Sequence, residues 1–123
     1  MEKSPLVLVV EDEAMIGMML EDELNDCSYS VAGPFPSCSS ALAWLSANAP
    51  DLAVLDTWLQ DGSCQVLASE LRRRGIPFVV YSGVIDTHMA ELAGAPWVSK
   101  PAPGKALLAA LTSATALEYS AAA

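Results

Sequence analysis

Polar groups close four short apolar runs in this 123-residue chain. Glu11 and Asp12 follow Leu6-Val-Leu-Val-Val10, and Asp56 follows Leu52-Ala-Val-Leu55. Ser82 and Gly83 follow Phe78-Val-Val-Tyr81, and Lys100 follows Trp97-Val-Ser99. Together they offer carboxylates, a hydroxyl and an amine. Carboxylates brought together repel one another, and an uncompensated trio would raise a pKa. A divalent cation resolves that repulsion, and all-oxygen ligation favours Mg²⁺. A neighbouring lysine supplies a point charge for phosphate oxygens, and a carboxylate nucleophile can form an aspartyl phosphate. The chemistry implied is phosphoryl transfer onto a carboxylate, driven by positioning and charge neutralisation. Singly, each group admits a plainer role. Asp56 could cap a helix, Glu11 and Asp12 could begin one, where acids are favoured, Lys100 could be a surface charge and Ser82 a turn residue.

The elements that carry these groups decide between the two readings. A short run that is apolar on both faces and bounded by breakers is expected to form a fully buried parallel strand. Five strands are predicted, the first and third of this buried kind: Leu6 to Val10, Tyr29 to Gly33 stopped by Pro34, Leu52 to Asp56, Pro77 to Tyr81, and Ala95 to Ser99. Between them, Ala14 to Asp26 places Ile16, Leu20, Leu24 and Cys27 on one helical stripe. Ser37 can cap a helix over Ala41, Leu42, Leu45 and Ala49. Ser63 can cap another with Val66, Leu67 and Leu71 inward, ending at Arg72-Arg-Arg-Gly75. Thr87 to Ala93 is a helical stretch of barely two turns, and a last helix carrying Leu107, Leu108 and Leu111 starts near Pro103-Gly104. Strict β-α alternation predicts a parallel sheet with helices on both faces, in the flavodoxin-like order 2-1-3-4-5. In such sheets the ligand crevice lies outside the carboxyl ends of the strands, so all four polar ends converge on it.

Composition narrows the function classes. The length fits one domain, here expected over 1–123 with its ordered core at about 5–117 and a frayed tail from Tyr119. Just over half the residues are hydrophobic, too many for a disordered chain. The net charge of −9 argues against nucleic acid as a direct partner and suits a cation site or a basic partner surface. Cys27, Cys38 and Cys64 have neither CxxC nor metal spacing and read as reduced thiols of a cytoplasmic protein. The first apolar run is too short to span a membrane or to serve as a cleaved leader.

The ordered set Val9-Val-Glu-Asp-Glu13, Val54-Leu-Asp56, Asp61-Gly62, Val80-Tyr-Ser-Gly83, Gly94-Ala95 and Lys100-Pro101 resembles the receiver domain of bacterial two-component response regulators, a CheY-like fold, over nearly the whole chain. The resemblance implies that Asp56 is the phosphoacceptor. It implies that Asp12 ligates Mg²⁺ directly, Glu11 mostly through water, and the carbonyl of Trp58 as a further ligand. Ser82 corresponds to the switch hydroxyl, Lys100 to the phosphate-binding cation, and Pro101 to the residue that fixes its loop. Trp97 matches the switch aromatic, usually Tyr or Phe, although an aromatic in a short strand also has a simple packing role. His88, the only histidine, reads as an exposed helix residue. Lys100 follows Ser82 by 18 residues, a few fewer than the family usually has, and the shortfall lies in the fourth helix. That shortening, with Gly83 after the hydroxyl, is similar to an alphaproteobacterial single-domain subclass, although Val84 stands near where that subclass carries a conspicuous aromatic.

The function expected is that of a stand-alone receiver. It would take a phosphoryl group from a sensor histidine kinase or a histidine phosphotransfer protein and then switch binding to a downstream protein, or relay the phosphate. It would catalyse only its own phosphorylation and dephosphorylation. By the resemblance, Trp58 and Val84 flank the approach of hydrolytic water. Trp offers only a donor and Val neither donor nor acceptor, so self-dephosphorylation should be slow, while Gly83 leaves the crevice open on one side. A receiver module of a longer hybrid kinase or regulator is the alternative. A haloacid-dehalogenase-type phosphatase would need a second Asp where Trp58 stands. A flavodoxin-like flavin-binding module would need a Ser/Thr/Gly-rich phosphate loop where Glu11-Asp-Glu13 stands.

Overall fold

The computed structural model describes residues 4–83, 95–100 and 106–113, and of Trp58 the backbone alone. The predicted helix over Thr87 to Ala93 and its shortening, Val84, His88, Pro101 and the start of the last helix near Pro103-Gly104 lie outside the described residues.

Five parallel strands carry the fold: β1 (Leu6–Val10), β2 (Ser30–Phe35), β3 (Leu52–Leu55), β6 (Phe78–Ser82) and β7 (Trp97–Ser99). They pair in the order β2-β1-β3-β6-β7, the expected order once a small hairpin takes the labels β4 (Trp58–Leu59) and β5 (Gly62–Ser63). β1, β3 and β6 are central and apolar on both faces, and nearly every residue in them is buried. Such strands need cover on each side. On one face Leu8, Val10, Leu55 and Val80 pack with Ala41 and Leu45 of α2 (Cys38–Leu45) and Leu67 and Leu71 of α3 (Gln65–Arg73). On the other, Val7, Val9, Val54 and Val79 pack with Leu20 and Leu24 of α1 (Ala14–Asp26) and with Leu107 and Leu111 of the helical segment 106–113.

Several details differ from the sequence reading. β2 does not stop at Pro34 but runs to Phe35 through a cis Gly33–Pro34 peptide and a register shift against β1. Proline is tolerated because β2 is an edge strand, where its missing N–H leaves no ladder bond broken. Gly33 has φ +105°, and a Cβ there would lie 2.7 Å from the Val9 carbonyl oxygen, so both the conformation and the space call for glycine. Cys27 falls past the end of α1 and is exposed, and Val66 is 64% exposed on the outer side of α3. Ala49 lies beyond α2 and is exposed. The segment after Asp56 forms the β4–β5 hairpin, with Gly62 at φ +116°.

The caps follow the local sequence. Ser37 accepts the Ser40 N–H at 3.1 Å at the start of α2. Cys64 rather than Ser63 occupies the N-cap position of α3, yet the Ser63 hydroxyl still accepts the Gln65 N–H at 3.1 Å.

Candidate functional site

Register brings the polar strand ends to one level. Val10 pairs with Leu55, Leu55 with Val80, and Ser82 with Ser99. The ladder continues one step past the strands: the Glu11 N–H donates to the Phe35 carbonyl at 2.9 Å, the Asp56 N–H to the Val10 carbonyl at 3.1 Å and the Lys100 N–H to the Ser82 carbonyl at 3.1 Å. Glu11, Asp56, Ser82 and Lys100 thereby stand side by side at the carboxyl edge of the sheet.

The side chains meet there. The Lys100 ammonium donates to Asp56 Oδ2 at 2.9 Å and forms an ion pair with Glu11 Oε1. The other Glu11 oxygen accepts the Glu13 N–H at 3.1 Å. Glu11 is only 3% exposed and Asp56 8%. Burial pushes the Glu11 carboxyl up to about 7, against the pull of Lys100 and the Glu13 N–H. Burial also works against the charge on Lys100, but the hydrogen bonds to Glu11 and Asp56 outweigh it and hold the ammonium above its ordinary value. One cation therefore faces two buried acids, with a third, Asp12, close by. Carboxylate oxygens of Glu11, Asp12 and Asp56 all lie within 4.8 Å of one another. An all-oxygen set with surplus negative charge suits a small divalent cation, so the residues fit the Mg²⁺ expected here.

A cavity of about 460 Å³ opens over this cluster, lined by Asp12, Asp56, Ser82, Gly83 and Lys100 among others. Glu11 is not in its wall. Asp12 thus faces the open site while Glu11 sits behind it, tied to Lys100. A Cβ added at Gly83 would meet nothing within 4 Å among the described residues. Trp97 begins β7 and packs against the α2 and α3 side of the core. Its indole N–H is buried and has no hydrogen-bond partner among the described residues. The Trp58 backbone pairs with Ser63 in the hairpin directly after Asp56.

Three features escape sequence reasoning. Thr57 is fully buried, lines the cavity and shares a 2.6 Å hydrogen bond with the Ser82 hydroxyl. Its signal was a hydroxyl directly after the strand-end acid, but only the β3–β6 register shows its partner. Asp61 accepts the Cys38 and Ser39 N–H groups at 2.8 and 2.9 Å, which holds the hairpin to the start of α2. These N–H bonds keep its carboxyl below the usual value. Ile16 and Met19 of α1 form a further wall of the cavity.

Fold and site together define an open flavodoxin-like α/β protein with a cation-paired acidic crevice at the carboxyl ends of its strands. The chain belongs to the response regulator receiver domain family, whose model matches residues 7–112. Receiver domains are signalling domains of two-component systems, and the family works with histidine kinases or phosphotransfer proteins. The transcriptional regulatory protein BaeR of Escherichia coli O6:H1 is 33% identical over 90 residues, covering 69% of this chain and 35% of that protein. The match thus spans about a third of that relative. A sensor protein from Polaromonas sp. JS666 superposes with a TM-score of 0.81 at 24% identity, covering 93% of this chain and 98% of the other. A response regulator receiver domain (CheY-like) from Methylobacillus flagellatus gives 0.77 at 24% identity, covering 90% and 98%. At these identities the structural likeness shows the fold. Among the described residues no helix is long and apolar enough to cross a membrane.

Proposed function

We propose that this chain is a phosphoacceptor receiver in which Asp56 takes a phosphoryl group from a phosphohistidine of a kinase or phosphotransfer protein. The Asp56 carboxylate oxygen attacks phosphorus, the P–N bond to the donor imidazole breaks, and the imidazole leaves with the bond electrons. Lys100 neutralises charge on the acceptor and on the incoming oxygens. Glu11, Asp12 and Asp56 would hold Mg²⁺ together with the Trp58 carbonyl, and the metal when bound supplies further charge neutralisation for the phosphoryl group. Ser82 supplies a hydroxyl to the phosphorylated site. The observation that carries this reading is the Lys100 ammonium bonded to Asp56 and Glu11 at the edge of a cavity open to solvent.

Two further features support a protein donor. Met15, Met18 and Met19 are 85%, 63% and 41% exposed on α1, and Met19 reaches the cavity. Exposed methionines make an adaptable apolar surface, and the acidic charge of the chain favours a basic partner face. This activity belongs to the receiver unit, whether it acts alone or as a module of a longer regulator. The mass of the endogenous product distinguishes those two forms.

The acceptor is tested with acetyl phosphate and Mg²⁺. Wild type should gain one phosphoryl group by intact mass and Asp56→Asn none. Equal labelling of the variant would overturn the assignment, and labelling undiminished in excess EDTA would remove the metal from it.

A further inference from the structure

Two hydroxyls share the cavity wall with Asp56 and Lys100. They are Thr57 Oγ1 and Ser82 Oγ, bonded to each other at 2.6 Å. Their residues are 0% and 2% exposed. Ser82 ends β6, Thr57 lies just past β3, and β3 pairs with β6, so the sheet register itself makes the contact. Each hydroxyl carries a single proton, and one of the two is committed to this bond.

A phosphoryl group on Asp56 brings three strong acceptor oxygens into the same cavity. A hydrogen bond to an ionised acceptor is roughly twice as strong as one between neutral groups. Where Ser82 is the donor in this bond, its hydroxyl has a better acceptor once Asp56 is phosphorylated, and turning to it gives up Thr57. We propose that Ser82 is that donor and that the Thr57–Ser82 bond is a latch that holds its hydroxyl off the acceptor until a phosphoryl group competes for it. This rests on the reading of Asp56 as phosphoacceptor. The strength of the latch then sets how far the unphosphorylated chain resists the activated arrangement, because a ligand shifts a two-state balance only by its differential affinity. Thr57 is a positioning residue here, acting through Ser82.

The probe is beryllofluoride with Mg²⁺, titrated into the full chain and followed by tryptophan fluorescence and calorimetry. Thr57→Val keeps the shape and removes the hydroxyl. It should bind beryllofluoride roughly 2- to 10-fold more tightly than wild type, the range expected for losing one competing hydrogen bond. Thr57→Ser keeps the hydroxyl and should stay near wild type. Loosened packing alone would weaken binding, so the sign separates a latch from a structural role. Thr57→Cys, a poor hydrogen-bonding group of similar size, makes the same comparison if the valine variant does not fold. Equal or weaker binding by the hydroxyl-free variants overturns the latch while wild-type binding still supports the acceptor. No binding by wild type, or equal binding by Asp56→Asn, overturns the acceptor reading and the latch with it.

Discussion

Lys100 is the residue on which the site's charge balance turns. Its ammonium touches two of three clustered carboxylates. Truncating one partner of a buried pair leaves the other charges uncompensated. Lys100→Met keeps the apolar stem and removes the charge, so Glu11 should hold its proton at still higher pH. If the same ammonium also meets the phosphoryl oxygens, losing it should slow labelling by acetyl phosphate about 100-fold, the order found when one transition-state donor is removed. The initial rate of phosphorylation at saturating Mg²⁺ measures this. A loss of less than about 3-fold would separate Lys100 from the transferring group, since a single charge-assisted bond is worth more than that. Lys100 was legible in the sequence because it follows an apolar run before a proline. Its pairing with Glu11 rather than with Asp12 was not, because adjacent acids differ only in which way the backbone turns them.

Among the elements, α1 and β2 meet more closely than any sequence pattern requires. Gly17 lies buried in α1, and a Cβ there would come within 2.9 Å of two atoms of the Pro34 ring. An exposed helical Gly→Ala change stabilises by roughly 0.5–1 kcal/mol. Here the rigid ring cannot yield, and overpacking of this kind costs about 1–3 kcal/mol. The clash wins, so Gly17→Ala should lower the urea midpoint, and a raised midpoint would show that the helix can shift outward. Neither the run of β2 through Pro34 nor the need for Gly17 could be read locally. Proline is a sound stop signal except on an edge strand, and edge position is a property of the sheet. Val66 was misassigned for a related reason: on α3 it stands next to Leu67, and one helical position decides which of the two faces the sheet.

For the whole molecule, the buried Glu11 carboxyl makes stability depend on pH. In the folded chain it titrates at about 7 rather than 4.5. Between those values the folded state holds a proton that the unfolded state has released, so stability falls as pH rises, by at most about 1.4 kcal/mol per pH unit. The benefit is fully present below 4.5 and gone above about 7. Asp61 and Glu70, whose carboxyls are held below their ordinary values, act only at the acid end, where their contributions vanish as pH falls. Lys100, held above its ordinary value, acts only at the alkaline end, where its contribution is lost as pH rises. In Mg²⁺-free buffer the urea midpoint should therefore decline from pH 4.5 to 7, and Glu11→Gln should flatten that decline. A wild-type profile already flat across this window would show that Glu11 titrates as an ordinary acid.

By itself the sequence determined the α/β alternation, the five strands and the identity of the groups at the carboxyl ends of four of them. Those are local properties: an unbroken apolar run, a breaker, and the residue standing between them. The resemblance to receiver domains rested on the same local signals, and the family match bears it out. Only the tertiary structure decided which of those groups touch. The parallel register sets Glu11, Asp56 and Lys100 at one level, joins Thr57 to Ser82, and lets Asp61 tie the hairpin after Asp56 to the start of α2. These contacts link residues 22 or more positions apart. Nothing in a window of neighbouring residues specifies such a distance. It is set by how the strands align when both faces of the sheet are buried at once.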